Sequence, residues 1–276
     1  MKPCDICLEE KCEGRHDCHC DTCKVKDECY RKLHPTIRIT NKCTQECDHC
    51  CFCSSPKSDI MMSVEMAKEV AQFIKANEIE YLNLMGGEFF CNPDWFEIYS
   101  LLISAAKVGA RLVTNGDWAN NMKVKTQIST LVSLFGHKIY FCISKDIWHT
   151  NKNVEAAKEY LEEIGAIVRV ATEEQTTKQS IVPVGRAQGQ YISGIYDMMA
   201  CYCDNPESMY SFLIDENGNI FKCGFGVFCY AHTDEYLNGG FNKRFKEYNT
   251  KFYSVFIPSC ASCYNFASIH NATVAY

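Results

Sequence analysis

The chain has no run of about 18 apolar residues, the length that a membrane-spanning helix needs. Its first residues, Met1-Lys2-Pro3-Cys4, lack the apolar stretch that heads an export signal. Both absences lead us to expect a cytoplasmic protein with no membrane partner. Lysine and arginine are scattered rather than striped, and the formal net charge is -6 with a pI near 5.8. Bulk electrostatics therefore disfavour nucleic acid as a partner. The 276 residues are enough for one large domain, or for one of about 200 residues with a smaller appendage.

Cysteine is what the chain has in excess, with twenty residues. In a short secreted protein that density means a disulfide framework, whereas in a reducing compartment it means metal. The densest point is Cys43-Thr44-Gln45-Glu46-Cys47-Asp48-His49-Cys50, a C-x3-C-x2-C loop following a short apolar run. Three thiolates in eight residues can grip one compact soft-metal centre, and iron-sulfur clusters are held in this way. A four-iron cluster with three ligands keeps one iron open, and an open position separates a reactive metal site from a structural one. A zinc site is the alternative at this point.

Residues 1–34 carry Cys4, Cys7, Cys12, Cys18, Cys20, Cys23 and Cys29 with almost no large apolar residues, so metal would be needed to order them. From Pro35 the composition turns globular. Ile37-Arg38-Ile39-Thr40 reads as a strand leading into the cysteine loop, and Ser63 caps a helix running to about Asn77. Strands follow at 80–85, 111–114, 138–144 and 166–171, alternating with helices at 93–107, 122–135 and 151–164. That alternation is the βα unit of a parallel sheet, whose sites lie at the carboxyl ends of the strands. Gly86-Gly87-Glu88, Asn115-Gly116 and Ser144-Lys145-Asp146 all sit at expected strand ends. Independent chance motifs have no reason to share one rim.

On these residues the chain resembles the radical S-adenosylmethionine (radical SAM) superfamily. The resemblance implies a [4Fe-4S] cluster on Cys43, Cys47 and Cys50, with SAM chelating the open iron and cleaved to methionine and a 5'-deoxyadenosyl radical. His49 would stand at the adenine, and Gly86, Gly87 and Glu88 at the SAM amino group; Phe89 replaces the proline common in the family. Asn115 lies in a segment resembling the family's TNG turn, and Ser144 and Asp146 resemble its ribose contact, with capping or turn roles as their alternative. Val182-Pro183-Val184-Gly185-Arg186-Ala187 resembles a P-x-G-R-A segment in which Arg186 meets a SAM or substrate carboxylate; a plain salt bridge is the other reading.

After residue 195 the alternation stops. Ser211 to Asp215 reads as a strand, Glu216-Asn217-Gly218-Asn219 as a hairpin turn, and Cys203-x14-Gly218-x4-Cys223 with Cys260-x2-Cys263 resembles a twitch or SPASM domain. The resemblance implies an auxiliary [4Fe-4S] cluster on Cys203, Cys223, Cys260 and Cys263, with a zinc site as the alternative. Cys20, Cys23 and Cys29 resemble part of the SPASM pattern at a displaced position, leaving a third cluster, zinc or unligated thiols open. The expected fold is α/β: a Cys-rich segment (1–34), a partial (β/α)6 TIM-like barrel (35–195) and a small β-hairpin/helix cluster domain (196–276).

The function implied is oxidation or cross-linking of a peptide or protein substrate, of the ribosomal-peptide maturase type, fed by a flavodoxin- or ferredoxin-type reductant. The N-terminal segment would be placed to hold a leader peptide. Dehydrogenation of a small polar alcohol is an alternative, as is a non-enzymatic iron-sulfur electron carrier. Asp117, His149, Glu173 and Tyr202 are indistinguishable as a base, Cys91 could line the site, and Cys142 reads as a small buried hydrophobe.

Overall fold

In a computed structural model of the chain, residues 33–145, 149–171, 185–187, 211–221 and 229–245 are described. The elements are β1 (His34–Arg38), α1 (Val64–Ala76), β2 (Tyr81–Met85), α2 (Trp95–Ala105), β3 (Gly109–Thr114), α3 (Met122–Phe135), β4 (Ile139–Ser144), α4 (Val154–Glu163), β5 (Ile167–Ala171), β6 (Ser211–Ile214), β7 (Asn219–Phe221) and β8 (Cys229–His232). The strands form one sheet in the order β5-β4-β3-β2-β1-β6-β7-β8. Pairing is parallel from β5 across to β6, and β7 and β8 then continue antiparallel. This is the parallel α/β core expected of a partial TIM-like barrel.

Local sequence sets the helices. Ser63 Oγ accepts from Met66 N at 3.1 Å and opens α1, whose Ala67, Val70, Ala71, Phe73 and Ile74 face inward. Asn121 caps α3 by accepting from Val124 N at 3.2 Å. The helices bury these apolar stripes on one face of the sheet, against Ile37, Ile39, Leu82, Leu84, Ala110, Leu112, Ile139, Phe141 and Ile143. Each Leu, Ile or Phe among them contributes about 1.5–3 kcal/mol on burial.

Strand alternation sends the intervening residues to the opposite face. Register places Thr36 beside Asn83, Asn83 beside Arg111, Val113 beside Cys142 and Cys142 beside Arg169. Asn83 donates to Thr36 Oγ1 at 3.2 Å and accepts from Arg111 Nε at 2.6 Å. The sheet is thus apolar under the helices and polar on its other side. Cys142 belongs to the polar side and is half-buried, so it is less enclosed than a core residue.

The hairpin after β6 forms where its turn residues place it. Asp215 Oδ1 accepts from the backbone of Asn217 and Asn219, both at 2.9 Å, and Gly218 takes φ +80. The pairing partner of β6 is β1, on the far side of the sheet from β5. The hairpin therefore extends the main sheet.

Candidate functional site

The cysteine loop begins where β1 ends, and its base is closed by backbone bonds. Asn41 N donates to Ile60 O at 2.9 Å, Met62 N to Ile39 O at 2.9 Å and Cys43 N to Ser55 O at 3.1 Å. Ser54 Oγ donates to Asn41 Oδ1 at 2.7 Å across the same neck. Cys43, Cys47 and Cys50 are half-buried, and no disulfide joins any of the eight described cysteines. Cys50 N donates to Cys47 O at 3.1 Å, and Ser54 N donates to Cys50 Sγ at 3.3 Å.

Burial pushes the Cys43 thiol up to about 12, and the neighbouring charges of Glu88, Cys50 and Cys47 push the same way. Three anionic sulfurs at this spot need a cationic centre among them, because a bound metal deprotonates a thiol outright. Among the described residues, no three His, Cys, Asp or Glu side chains close around a point suited to one metal ion. Three thiolates in one loop are the donor type that holds an iron-sulfur cluster.

The GGE turn lies flush against this loop. Gly87 N donates to Thr40 O at 2.7 Å, and Glu88 N donates to Lys42 O at 2.9 Å. A Cβ on Gly87 would sit 2.3 Å from Lys42 O and 2.9 Å from Cys43 Cβ; one on Gly86 would sit 2.9 Å from Thr40 O. The first reason for glycine here is thus the approach of one backbone to another, where the sequence suggests the approach of a ligand.

Glu88 is only 1% exposed. Its Oε1 accepts from Thr114 Oγ1 at 2.7 Å and its Oε2 from Asn115 N at 2.6 Å, so the carboxyl ties the end of β2 to the end of β3. Burial pushes its pKa up to about 8, against the lowering effect of these two donors. When ionised, each oxygen keeps a second lone pair. Thr114 Oγ1 also accepts from Gly116 N at 3.0 Å and Trp118 Nε1 at 3.1 Å.

The end of β3 in turn holds the cysteine loop. Asn115 Nδ2 donates to Thr44 Oγ1 at 2.9 Å and lies 3.9 Å from Cys43 Sγ. Thr44 Oγ1 donates to Asp117 Oδ2 at 2.5 Å, and Gln45 Nε2 donates to the same oxygen at 3.1 Å. Gln45 Oε1 accepts from Cys47 Sγ at 3.4 Å and from Thr150 N at 3.1 Å. Asp117, a candidate base in the sequence, is a brace in the fold. Thr44 and Gln45 carry no motif signal beyond their position between the motif cysteines; Thr114 is the threonine of the segment resembling the TNG turn.

His49 and His149 meet edge to face, with ring centroids 5.0 Å apart. Arg186 donates from Nη1 to Cys47 O at 2.5 Å and from Nη2 to Ser54 O at 2.7 Å. Ser144 ends β4 on the same rim. Cys91 is half-buried in a short turn just beyond Glu88, its thiol pushed up to about 12 chiefly by burial. Thus Cys43, Cys47, Cys50, His49, Gly86, Gly87, Glu88, Asn115 and Arg186 are brought together. Asp146, Glu173, Tyr202, Cys20, Cys23, Cys29, Cys203, Cys223, Cys260 and Cys263 lie outside the described residues.

Residues 37–135, which span the loop, the GGE turn and the end of β3, match the Radical SAM superfamily. YydG of Bacillus subtilis (strain 168), which carries a provisional peptide-biosynthesis name, is 32% identical over 116 residues, 41% of this chain and 36% of its own length. The antilisterial bacteriocin subtilosin biosynthesis protein AlbA, from the same strain, is 29% identical over 128 residues, 46% of this chain and 27% of its own length. The chain therefore matches about a third of each curated relative. In fold it is similar to native anSMEcpe with bound AdoMet and Cp18Cys peptide, at a TM-score of 0.50 and 13% identity, over 79% of this chain and 83% of that one. Residues 37–135, built around the braced cysteine loop, are thus the part of the chain that is similar to the Radical SAM superfamily.

Proposed function

We propose that the chain is a radical SAM enzyme of peptide maturation, which oxidises or cross-links a peptide substrate. The observation that carries this reading is the braced cysteine loop, with Cys43 beside Glu88 and Asn115 at one end of a parallel sheet. The substrate class is supported by YydG, named for peptide biosynthesis, and by AlbA, named for biosynthesis of the bacteriocin subtilosin.

In this reading Cys43, Cys47 and Cys50 hold a [4Fe-4S] cluster. Together with SAM, the bound cluster supplies a 5'-deoxyadenosyl radical that removes a hydrogen atom from substrate. The chain's own part is binding, orientation and exclusion of water. Glu88, tied to β3 by Thr114 and Asn115, would hold the SAM ammonium, with the backbone of Gly86 and Gly87 beside it. The His49 ring would serve the adenine, and Ser144 with Asp146 the ribose, as the family resemblance implies. Cys203, Cys223, Cys260 and Cys263 would hold an auxiliary cluster that accepts the substrate-derived electron. The N-terminal cysteines, including Cys20, Cys23 and Cys29, would order a separate segment around metal. We assign residues 1–34, 35–195 and 196–276 to these three parts, a cytoplasmic location to the whole, and a flavodoxin- or ferredoxin-type protein as reductant.

The test is anaerobic reconstitution with iron and sulfide, followed by dithionite and SAM. Methionine and 5'-deoxyadenosine are expected; their absence sinks the reading, and S-adenosylhomocysteine in their place points to methyl transfer. A precursor peptide encoded beside this chain should then lose two hydrogen atoms by mass. A peptide modified without that loss would exclude oxidation while keeping the radical chemistry.

A further inference from the structure

The Cys47–Ser54 arc of the cysteine loop is folded by two short turn bonds, Cys50 N to Cys47 O at 3.1 Å and Cys53 N to Cys50 O at 3.3 Å. Cys53 sits at φ +53, a left-handed conformation unusual for a residue with a side chain. The arc is held from outside by Gly185 and Arg186. Arg186 N donates to Cys50 O at 3.0 Å, Nη1 to Cys47 O at 2.5 Å and Nη2 to Ser54 O at 2.7 Å. One residue thus reaches three carbonyls of the arc, two of them on proposed ligand residues. Gly185, at φ +60, lies so close that a Cβ would fall 2.3 Å from Cys51 O and 2.6 Å from Cys50 O. The guanidinium is also 4.0 Å from Glu46 within the loop.

We propose that Arg186 is a positioning residue: its backbone and planar fork fix the Cys47–Ser54 arc, and so fix where the sulfurs of Cys47 and Cys50 point. This rests on the radical SAM reading above. The chemistry is that of a fork with fixed angles between its N–H donors. It can span two carbonyls seven residues apart in the chain, whereas a lysine ammonium meets one point at a time. Charge-assisted donors of this kind are stronger than neutral ones. Held in place, the arc presents two ligands at a constant separation without needing the cluster to impose it. With one N–H of each Nη engaged on the loop, Arg186 in this role serves the cluster from outside and leaves a SAM or substrate carboxylate to other residues.

The test compares the reconstituted wild-type chain with Arg186→Gln and Arg186→Lys, after circular dichroism has checked folding. Three quantities are read: the rate of iron loss to a chelator without SAM, the electron paramagnetic resonance line of the dithionite-reduced cluster without SAM, and the KM for SAM. Partners of ligand residues are worth about 10- to 100-fold in metal affinity. Arg186→Gln should therefore lose iron about tenfold faster and show an altered line, and Arg186→Lys should recover only part of both. If both variants keep wild-type iron retention and line shape while the KM for SAM rises, Arg186 binds the SAM carboxylate and the proposal is overturned. If Arg186→Gln does not fold, full recovery in Arg186→Lys overturns it too, because a charge alone would then suffice. A wild-type chain that takes up no cluster overturns the radical SAM reading itself, a result distinct from these.

Discussion

Arg38 and Glu216, 178 residues apart, form a buried two-pronged ion pair. Nε meets Oε1 and Nη2 meets Oε2, both at 2.9 Å. The pair joins the end of β1, from which the cysteine loop departs, to the turn between β6 and β7. The Arg38 guanidinium also lies 4.9 Å from the ring centre of Phe52, inside that loop. Among the described residues its Nη1 has no hydrogen-bond partner. One buried cation thus touches the cysteine loop and the hairpin together.

Removing one member of such a pair strands the other charge in the interior, at about 3–5 kcal/mol. Arg38→Met and Glu216→Leu should each lower the unfolding free energy by that order. The double variant should recover most of the loss. Additive losses in the double variant, measured in denaturant, would show that the two residues act separately.

Glu88 gives a pH prediction. Burial raises its pKa from the usual carboxylate range to about 8, so the folded chain holds this proton more tightly than the unfolded chain does. Stability from this group is full below about pH 4.5 and is lost as pH rises through about 8. Denaturation of the metal-free chain between these limits should show a falling limb that Glu88→Gln flattens. Equal slopes in the two proteins would refute the assignment.

Gly87→Ala should be costly for a chain that changes by one methyl group. The added Cβ meets Lys42 O at 2.3 Å and Cys43 Cβ at 2.9 Å, both on the rigid base of the loop. Overpacking of this kind costs about 1–3 kcal/mol. Because the displaced atoms belong to Cys43 and its neighbour, iron uptake on reconstitution should fall as well. Full iron content with unchanged stability would mean that the turn and loop can separate freely.

Cysteine substitutions separate the two proposed redox sites. Cys43→Ala, Cys47→Ala and Cys50→Ala should each abolish 5'-deoxyadenosine formation. Cys223→Ala should spare SAM cleavage and stop peptide turnover if an auxiliary cluster takes the substrate electron. Product peptide from Cys223→Ala at the wild-type rate would remove that cluster from the reaction.

Much of the fold is local, and the sequence carries it. Ser63 announces its helix because a cap needs one side-chain oxygen and the backbone N–H groups that follow. The helix Met122–Phe135 falls where its apolar period places it. Strand limits shift by a few residues: β1 spans His34–Arg38, earlier than the expected 37–40, because Thr40 bridges to Met61 in the loop's closing neck. The cysteine spacing and the GGE turn are legible for the same reason. Ligand spacing and backbone permissiveness are properties of a few consecutive residues.

What the tertiary structure alone decides is which distant groups meet. No local pattern says that β6 pairs with β1, since parallel partners are chosen by the whole sheet. Nor does one say that Arg38 buries against Glu216, that Asp117 braces Thr44 and Gln45, or that Arg186 grips the Cys47–Ser54 arc. Charged and amide side chains can serve solvent, substrate or backbone equally well. Their partners are fixed only when folding removes water and leaves particular carbonyls and carboxylates to be satisfied.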